Sequence, residues 1–330
     1  MAKLGVGVIG LGYAGAKHLR AYLDHPDAEV RMICSQHPDK VPPIAKERRL
    51  PHTTDYRKLL ADDKIEMVSV CTPDHLHTEP VLAALKAGKH VFCEKPLATS
   101  LDDCRRIVEA VDRSGVKFLT GQILRFAPLF RSLKKLYESG TIGKAVFAES
   151  DYLHDIRFLL GGWRSDPASQ WDLTLAGGCH PIDLLRWIVG DVEEVFARGN
   201  KLCLTDLPSP ADNVLLSLRF ANGAIGKVQL TSGSPRPYAL NFSIHGTKGT
   251  LVNNKLFTEQ IDGLQDFIPL PLPQESEFPY YGNEVAELIS AIREDREPAV
   301  TALEGAHTVA VCLAGVESAR KGQAIKVASF

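Results

Sequence analysis

The sequence predicts an α/β protein in which a doubly wound parallel sheet precedes a second domain with an antiparallel sheet and helices on one face. Its 330 residues exceed one average domain and are sufficient for two. Over the first 120 residues, short apolar runs alternate with helix-like segments, which is typical of a parallel α/β sheet. After about residue 122, the apolar runs are separated by turn signals instead. We therefore predict two domains, 1–121 and 122–330.

Five strands are predicted in the first domain, because apolar runs recur with polar segments between them. Those segments, such as 74–87 and 101–114, carry apolar residues at i, i+3 and i+4 and so predict helices. The stretch Val-Ser-Val-Cys at 68–71 suits a strand that is buried on both faces. The predicted strands lie at 3–9, 29–34, 67–72, 90–93 and 117–120.

Turn signals organise the second domain. Asn222-Gly223 separates two alternating runs, 214–220 and 224–230, and is a strong hairpin signal. Four prolines between residues 262 and 279 predict a surface loop. The other predicted elements are a helix at 128–138, an extended segment at 144–152, a strand at 241–245 before a turn at 246–249, and helices at 284–296 and 303–321.

The composition is that of an ordinary globular chain, with 45% hydrophobic residues, 24% charged residues and a net charge of −2. This balance gives no electrostatic reason to expect a nucleic-acid or membrane partner. The apolar run at the N-terminus is too short and Gly-rich for a signal peptide, and no stretch of 18 apolar residues predicts a membrane span. The seven cysteines form no CxxC pair and no Cys/His ligand spacing, so we expect reduced thiols, no metal site and a cytoplasmic location.

A glycine-rich turn directly follows the first predicted strand and opens a helix, with the sequence Gly10-Leu11-Gly12-Tyr13-Ala14-Gly15. Such a motif is weak alone and can be a turn without a ligand, but a dinucleotide-binding Rossmann domain needs it at this position. Gly10 permits the tight turn, Gly12 allows a pyrophosphate to approach the backbone, and Gly15 allows close packing of helix on strand. The helix N-terminus supplies N–H groups to the phosphates. The sequence therefore predicts an NAD(P) site.

Ser35 is predicted to be the residue that discriminates between NAD and NADP, about 20 residues beyond the glycine turn. An acidic residue at that place normally holds the ribose hydroxyls of NAD. Ser35 carries no charge to repel a 2′-phosphate, and Lys40 is close enough in sequence to reach one. We expect NADP to be at least as good a cofactor as NAD, and the sequence leaves the choice open.

Two polar segments end predicted strands of the first domain, at the carboxyl edge where ligands bind in open α/β sheets. Glu94-Lys95-Pro96 follows the run at 90–93. The run at 67–72 ends at Thr72, and Pro73 and His77 come shortly after it. A lysine at this edge can donate a hydrogen bond to a substrate hydroxyl or carbonyl, although a lone lysine is more often a solvated surface residue.

His180 and Asp183 stand near the start of a predicted helix in the second domain. With Leu184 and Trp187 they follow i, i+3, i+4 and i+7 spacing, so one helix face carries the polar pair and the apolar anchors. Pro181 suits the first turn of this helix. Taken alone, such a histidine is more often a capping or core residue, and an acid there is favoured by the helix dipole.

These motifs together resemble the glucose–fructose oxidoreductase/inositol dehydrogenase/rhizopine catabolism (Gfo/Idh/MocA) oxidoreductases over nearly the whole chain. The resemblance rests on the glycine turn at 10–15, Thr72-Pro73 with His77, Glu94-Lys95-Pro96, Arg125-Phe126, the segment 140–143, Gly178-x-His180-x-x-Asp183 and Pro298-x-Val300-Thr301. It implies a Rossmann domain, a C-terminal α+β domain with a large open, mostly antiparallel sheet, and NAD(P)-linked redox chemistry on a sugar, sugar derivative or cyclitol. It also implies homodimers or homotetramers that bury the outer face of that sheet.

The resemblance also assigns roles to single residues. Lys95 matches the family lysine that contacts the reacting hydroxyl, and His180 matches the histidine that takes or gives the proton. Many members place an aspartate four residues before that histidine, whereas this chain has Ala176 there. Asp172 lies a further turn earlier on another register, and Asp183 is a candidate to orient His180 instead.

The predicted site residues fall into three groups. Lys95 and His180 are the predicted catalytic residues. The predicted cofactor-binding residues are Gly10, Gly12, Tyr13, Ala14, Gly15, Ser35, Thr72, Pro73, His77, Glu94, Lys95 and Gln122. The candidate substrate contacts are Tyr152, His154, Asp155, Arg157, Trp163, Arg164 and Asp183, of which Trp163-Arg164 resembles a pair that lines the cofactor in some relatives.

Three functions fit the motifs. The leading hypothesis is reversible hydride transfer between nicotinamide and a secondary carbinol, with Lys95 polarising the oxygen and His180 acting as general base in oxidation. The second is an enzyme of the same family that uses tightly held NAD for transient oxidation during glycosidic cleavage or elimination. The third is a non-catalytic sensor, which Ala176 favours and the Lys95–His180 set opposes. Cys179, beside His180, lacks an acyl-transfer constellation and is interpreted as a packing residue.

Overall fold

The computed structural model describes residues 2–37, 41–272 and 280–330, and these form two compact units. Unit 1 takes its described residues from 2–122 and 280–309 together with Phe330, and unit 2 from 123–272 and 310–329. The chain thus returns to unit 1 with 280–309, a segment that the predicted boundary after residue 121 assigns to the second domain. Lys40 and the last part of the proline-rich segment lie outside the described residues.

Unit 1 contains a six-stranded sheet in which every neighbouring pair of strands is parallel. Its strands are β1 (Leu4–Ile9), β2 (Ala28–Cys34), β3 (His52–Thr53), β4 (Met67–Val70), β5 (His90–Glu94) and β6 (Phe118–Gly121). The spatial order β3-β2-β1-β4-β5-β6 is that of a doubly wound dinucleotide-binding sheet, which confirms the predicted fold class. The two-residue β3 was missed because it carries no apolar run.

Five helices connect these strands: α1 (Tyr13–Asp24), α2 (Pro43–Glu47), α3 (Tyr56–Leu60), α4 (Thr78–Lys86) and α5 (Leu101–Ser114). Local sequence explains the ends of α5, since the Ser100 hydroxyl accepts a hydrogen bond from Asp103 N at 3.1 Å and Gly115 adopts φ +66°. The helix predicted from residue 74 begins instead as a 3₁₀ turn over Asp74–Leu76, in which Leu76 N donates to the Pro73 carbonyl.

Unit 2 is built on a nine-stranded sheet with the order β14-β13-β12-β11-β7-β10-β9-β8-β15. The strands are β7 (Ala145–Leu153), β8 (Val192–Asn200), β9 (Asn213–Phe220), β10 (Ile225–Thr231), β11 (Ala239–Gly246), β12 (Gly249–Val252), β13 (Lys255–Thr258), β14 (Ile268–Pro269) and β15 (Ile325–Lys326). Among the described strands of this sheet, β7 and β10 pair in parallel and the other seven pairs are antiparallel, so the large, mostly antiparallel sheet is confirmed.

Two local predictions in this sheet have different outcomes. The hairpin at Asn222-Gly223 is confirmed, since it joins antiparallel β9 and β10 and Gly223 adopts φ +87°. The prediction of a surface loop over 262–279 is wrong at β14, where Ile268 pairs with Leu256 of β13. A proline is compatible with strand pairing at a sheet edge, which is where Pro269 lies.

The two faces of the nine-stranded sheet have different surroundings. Helices α6 (Pro128–Glu138), α7 (Leu173–Ala176) and α8 (Cys179–Val189) belong to unit 2, and Phe130 of α6 packs edge-on against Phe242 of β11 at 5.8 Å. On the other face Leu215 and Ile225 are 50% and 55% exposed. An ion-pair group lies beside them, because Lys227 Nζ is 3.0 Å from Glu149 and 3.1 Å from Asp151.

The last two helices are α9 (Tyr281–Arg293), in unit 1, and α10 (Ala302–Lys321), whose residues are divided between the units. Helix α9 packs on α1, where the ring of Tyr281 meets that of His18 at 5.4 Å. Through such contacts, residues 280–309 belong to unit 1. A single domain boundary after residue 121 does not predict this return of the chain.

None of the seven cysteines, all of which the structure describes, forms a disulfide, and only Cys203 is exposed. Burial raises the pKa of the Cys71, Cys93 and Cys312 thiols well above the usual value, as suits core residues. Within the described ranges, no cluster of His, Cys, Asp or Glu side chains has the arrangement of a metal site. No described helix combines the length and apolarity needed to cross a bilayer.

Candidate active site

The glycine turn has the geometry that a dinucleotide requires. Gly10 adopts φ +90°, and a Cβ there would lie 2.5 Å from the Cys71 carbonyl oxygen. A Cβ on Gly15 would lie 1.9 Å from the Gly10 carbonyl oxygen, so any side chain would push α1 away from β1. Gly12 differs, because a Cβ there would meet no atom within 4 Å and no side chain caps α1. The open space at Gly12 and the uncapped helix start fit a pyrophosphate group.

Ser35 lies directly after β2, at the position predicted to select the cofactor. Its buried hydroxyl donates to the His37 carbonyl at 3.3 Å and accepts from His37 N at 3.2 Å. The serine thus closes a local turn and places no carboxylate beside the ribose position. The other predicted selector, Lys40, is outside the described residues.

His77 connects the two loops that carry the predicted active-site motifs of unit 1. The ring is buried, with Nδ1 2.8 Å from the Pro96 carbonyl and Nε2 3.0 Å from the Thr72 carbonyl. Both ring nitrogens therefore face backbone groups of the segments that follow β4 and β5. The structure brings Thr72, His77 and Pro96 together at the carboxyl edge of the sheet, and His77 holds the loops in place.

Behind Lys95 lies a buried polar network that the sequence did not reveal. Glu94 Oε1 is 3.0 Å from His18 Nε2, while Glu94 Oε2 accepts from Lys95 N at 3.0 Å. The other ring nitrogen of His18 is 3.0 Å from the Ser69 hydroxyl, which also lies 2.8 Å from the Tyr22 hydroxyl. Burial opposes ionisation of Glu94, but the hydrogen bond and charge of His18, with Lys95, hold its pKa below the usual value.

Two further buried groups of unit 1 carry polar atoms without hydrogen-bond partners among the described residues. The Gln122 side-chain amide is one, and Gln122 is a predicted cofactor contact. The other is the carboxyl of Glu284 on α9, which is fully buried. Burial, and then the negative charge of Glu94, raise the pKa of Glu284 well above the usual value, with Lys95 opposing the shift. The sequence analysis missed Glu284, because the helical pattern of α9 does not show which groups its side chains contact.

In unit 2, the ring of His180 stacks on one member of a cluster of aromatic side chains. His180 is the second residue of α8, and its ring stacks on Tyr152 with centroids 5.7 Å apart and planes 24° apart. The Tyr152 hydroxyl lies 3.1 Å from His154 Nδ1. Tyr238 packs edge-on against both Tyr152 and His154, at 5.9 and 5.1 Å. Of the candidate substrate residues, Tyr152 is thus brought to His180, and His154 is brought to Tyr152.

The remaining candidates of unit 2 are placed in ion pairs or ring contacts. Asp183 accepts two hydrogen bonds from the buried guanidinium of Arg125, at 2.8 and 2.7 Å. The motif Arg125-Phe126 was recognised in the sequence, but this partnership was not. Asp155 pairs with Arg157 in a partly exposed position, at 2.5 Å, and the Arg164 guanidinium lies over the Trp163 ring at 4.4 Å.

The glycine turn, the parallel sheet and the polar edge define an NAD-binding Rossmann oxidoreductase. Residues 4–122 match the model of the oxidoreductase family with an NAD-binding Rossmann fold, and residues 130–252 match the GFO/IDH/MocA C-terminal domain. The chain belongs to this Gfo/Idh/MocA family, as the motifs in its sequence indicated.

Proteins of known name show the same relationship. Levoglucosan dehydrogenase of Pseudarthrobacter phenanthrenivorans is 30% identical over 300 residues, which cover 77% of this chain and 74% of that protein. Myo-inositol 2-dehydrogenase of Thermotoga maritima is 28% identical over 339 residues and 98% of each chain. A solved structure of levoglucosan dehydrogenase in complex with NADH and levoglucosan has a TM-score of 0.85 at 27% identity, over 99% of this chain and all of that one.

Proposed function

We propose that this chain is an NAD(P)-dependent dehydrogenase or reductase that transfers a hydride between nicotinamide and a secondary hydroxyl or ketone of a sugar, sugar derivative or cyclitol. The observation that carries the proposal is the carboxyl edge of the six-stranded sheet. There the open glycine turn after β1 and Lys95 after β5 lie at the edge of one sheet, where such folds bind their ligands. The named relatives that act on levoglucosan and myo-inositol supply the substrate class.

The bound dinucleotide supplies the hydride acceptor or donor. Lys95 holds and polarises the substrate oxygen through its ammonium group, and His180 accepts the hydroxyl proton during oxidation. The buried Glu94, hydrogen-bonded to His18 and to the Lys95 backbone, fixes the loop from which Lys95 projects. The His180 ring is buried and stacks on Tyr152, so little of it is exposed to water.

For the cofactor, we propose that NADPH binds at least as well as NADH. Ser35 presents a neutral hydroxyl where an acid would repel the 2′-phosphate, and its hydrogen bonds to His37 keep that hydroxyl close to the backbone.

Titration of the purified protein with NADH and NADPH, followed by nicotinamide fluorescence, tests this proposal. Ser35→Asp should weaken NADPH binding by at least about tenfold, because one repulsive contact of about 1.4 kcal/mol gives that factor. NADH binding should be retained or improved. If neither NADH nor NADPH binds the unaltered protein, the dehydrogenase proposal is contradicted.

Activity is tested by incubating the protein with levoglucosan, myo-inositol and 1,5-anhydro-D-fructose in the presence of each nicotinamide nucleotide, followed at 340 nm. Stoichiometric change in reduced nucleotide supports the proposed reaction. Conversion of the sugar without any net change in nucleotide favours the alternative in which tightly held NAD is oxidised and regenerated within one turnover. Nucleotide binding with no conversion of any of a broad carbohydrate panel favours the sensor.

We also propose that the chain forms homodimers or homotetramers through the outer face of the nine-stranded sheet. The exposed Leu215 and Ile225, next to the Lys227–Glu149 ion pair, form a mixed apolar and charged surface. The burial of such a surface between copies is favourable because apolar area is removed from water while the ion pair is retained.

A further inference from the structure

The environment of His180 differs from the arrangement that the family resemblance implies. Ala176 ends α7 at the position where many members have an aspartate, and a methyl side chain offers no acceptor to an imidazole N–H. Asp172, the nearest acid towards the N-terminus, is used as the cap of α7, since Oδ1 accepts from Thr174 N at 2.6 Å. Burial raises the pKa of Asp172. The chain therefore has no carboxylate at position 176, where the family resemblance implies one.

An aromatic ring lies beside His180. Tyr152, near the end of β7, stacks on the imidazole at 5.7 Å with 24° between the ring planes. Both residues are buried, with 8% and 7% of their surfaces exposed. An offset-stacked pair at this distance prefers a narrow range of ring planes, and the close packing of buried rings opposes rotation. The stack therefore restricts the plane of the His180 ring.

Tyr152 is itself held by two neighbours. Its hydroxyl lies 3.1 Å from Nδ1 of His154, and Tyr238 packs edge-on against both rings. Burial lowers the pKa of His154, with the charge of Asp155 opposing the shift, so the ring is neutral at pH 7. A neutral imidazole has one nitrogen that accepts and one that donates, and the Tyr152 hydroxyl can pair with Nδ1 of His154 in either role.

We propose that Tyr152, supported by His154 and Tyr238, is the positioning residue that orients His180 in place of the family aspartate. The proposal rests on the proposed function, because it takes His180 as the proton acceptor. A stacked tyrosine fixes the ring plane without adding the negative charge that a carboxylate would bring. The titratable groups in contact with this cluster include His154 and Asp155 after β7 and Tyr238 before β11. On α8 itself, Asp183 is paired with Arg125, so the two charges offset each other.

Two variants distinguish the contribution of the Tyr152 ring from that of its hydroxyl. Tyr152→Phe keeps the stacked ring and removes the contact with His154, whereas Tyr152→Leu removes the ring as well. A third variant, Ala176→Asp in the Tyr152→Leu background, restores the family carboxylate four residues before His180. Tyr137→Phe on α6 is the matched control, because it removes a tyrosine hydroxyl elsewhere in unit 2. Far-UV circular dichroism of each variant checks that it is folded.

The first readout needs no substrate. In protein labelled with ¹³C at histidine Cε1, the His180 signal is assigned from a His180→Asn variant and followed as pH changes. Tyr152→Leu should shift the His180 signal through loss of the ring current and should change its titration midpoint. Tyr152→Phe should leave the His180 chemical shift in place and move the His154 signal. An unchanged His180 signal and titration in Tyr152→Leu would overturn the positioning role.

The second readout is the pH profile of kcat/KM with whichever carbohydrate of the panel the unaltered protein converts. Tyr152→Leu should lower kcat/KM by about a hundredfold, the size of effect that misplacing a general base produces, and Tyr152→Phe by about tenfold or less. Ala176→Asp should recover part of the loss in Tyr152→Leu and move the acid limb of the profile to higher pH. A purely structural role predicts lower thermal stability with no recovery by Ala176→Asp, and that result would overturn the proposal.

The two readouts also separate this proposal from the proposed function. Absence of turnover by the unaltered protein with dinucleotide bound contradicts the proposed function. The response of the His180 signal to Tyr152→Leu decides the positioning role independently of turnover.

Discussion

The buried carboxyl of Glu284 makes the stability of unit 1 depend on pH. It is fully buried on α9, and neither carboxyl oxygen has a hydrogen-bond partner among the described residues. Burial raises its pKa most, the negative charge of Glu94 raises it further, and Lys95 opposes the shift. The carboxyl is therefore neutral in the folded protein at pH values where it ionises in the unfolded chain, above about 4.3.

The sign of the effect follows from proton linkage. Because the folded pKa is raised, the stability that Glu284 contributes is fully present below the unfolded pKa and is lost as pH rises through the folded pKa. Within that window the loss is about 1.4 kcal/mol per pH unit. Glutamine has nearly the same shape and is neutral throughout. As pH rises from 5 to 6.5, the free energy of unfolding of Glu284→Gln should therefore increase relative to that of the unaltered protein, by at most about 1.4 kcal/mol per pH unit.

Urea unfolding followed by far-UV circular dichroism at pH 5, 5.75 and 6.5 measures this difference. Glu294→Gln, just beyond the end of α9, is the matched control. Its exposed carboxylate has a lowered pKa, chiefly through a hydrogen bond from Arg296. It is therefore ionised in both the folded and the unfolded protein above about pH 5, and the difference between Glu294→Gln and the unaltered protein should stay nearly constant between pH 5 and 6.5. A constant difference between Glu284→Gln and the unaltered protein across this pH range would refute the reasoning.

Three other changes test the glycine turn, the buried ion pair and the outer sheet face. Gly15→Ala places a methyl group 1.9 Å from the Gly10 carbonyl oxygen, so we expect a lower Tm and loss of NADH and NADPH binding measured by fluorescence. Asp183→Asn leaves the buried guanidinium of Arg125 without its carboxylate and should lower the free energy of unfolding in urea by about 3 kcal/mol. The double change Leu215→Asp with Ile225→Asp should reduce the mass measured by light scattering to that of one chain.

Each of these has a contrasting variant. Gly12→Ala meets no atom within 4 Å, so it should weaken dinucleotide binding without lowering Tm, and equal effects of both glycine variants on Tm would contradict the assigned roles. Arg125→Met combined with Asp183→Leu should recover part of the lost stability, because removing both charges leaves no buried unpaired ion. A monomeric mass for the unaltered protein would contradict the proposed assembly.

The sequence by itself determined the features that depend on neighbouring residues. The glycine turn, the hairpin at Asn222-Gly223 and the start of α8 follow from backbone conformations and helix-end preferences that a few adjacent residues fix. The alternation of apolar runs and amphipathic segments was sufficient for the parallel sheet of unit 1, because burial of strands on both faces requires such runs. The motifs around Lys95 and His180 likewise identified these two residues as catalytic candidates from the sequence alone.

Only the tertiary structure decided which side chains meet. His18 and Glu94 are 76 residues apart, and Arg125 and Asp183 are 58 residues apart. The helical pattern of α9 does not distinguish Glu284 from the other acid of that helix. The strand pattern of β7 does not reveal that Tyr152 stacks on His180. Periodicity encodes which residues are buried, whereas strand order and helix packing decide which buried groups face each other. The groups that orient Lys95 and His180 are therefore a product of topology, which brings distant segments into contact.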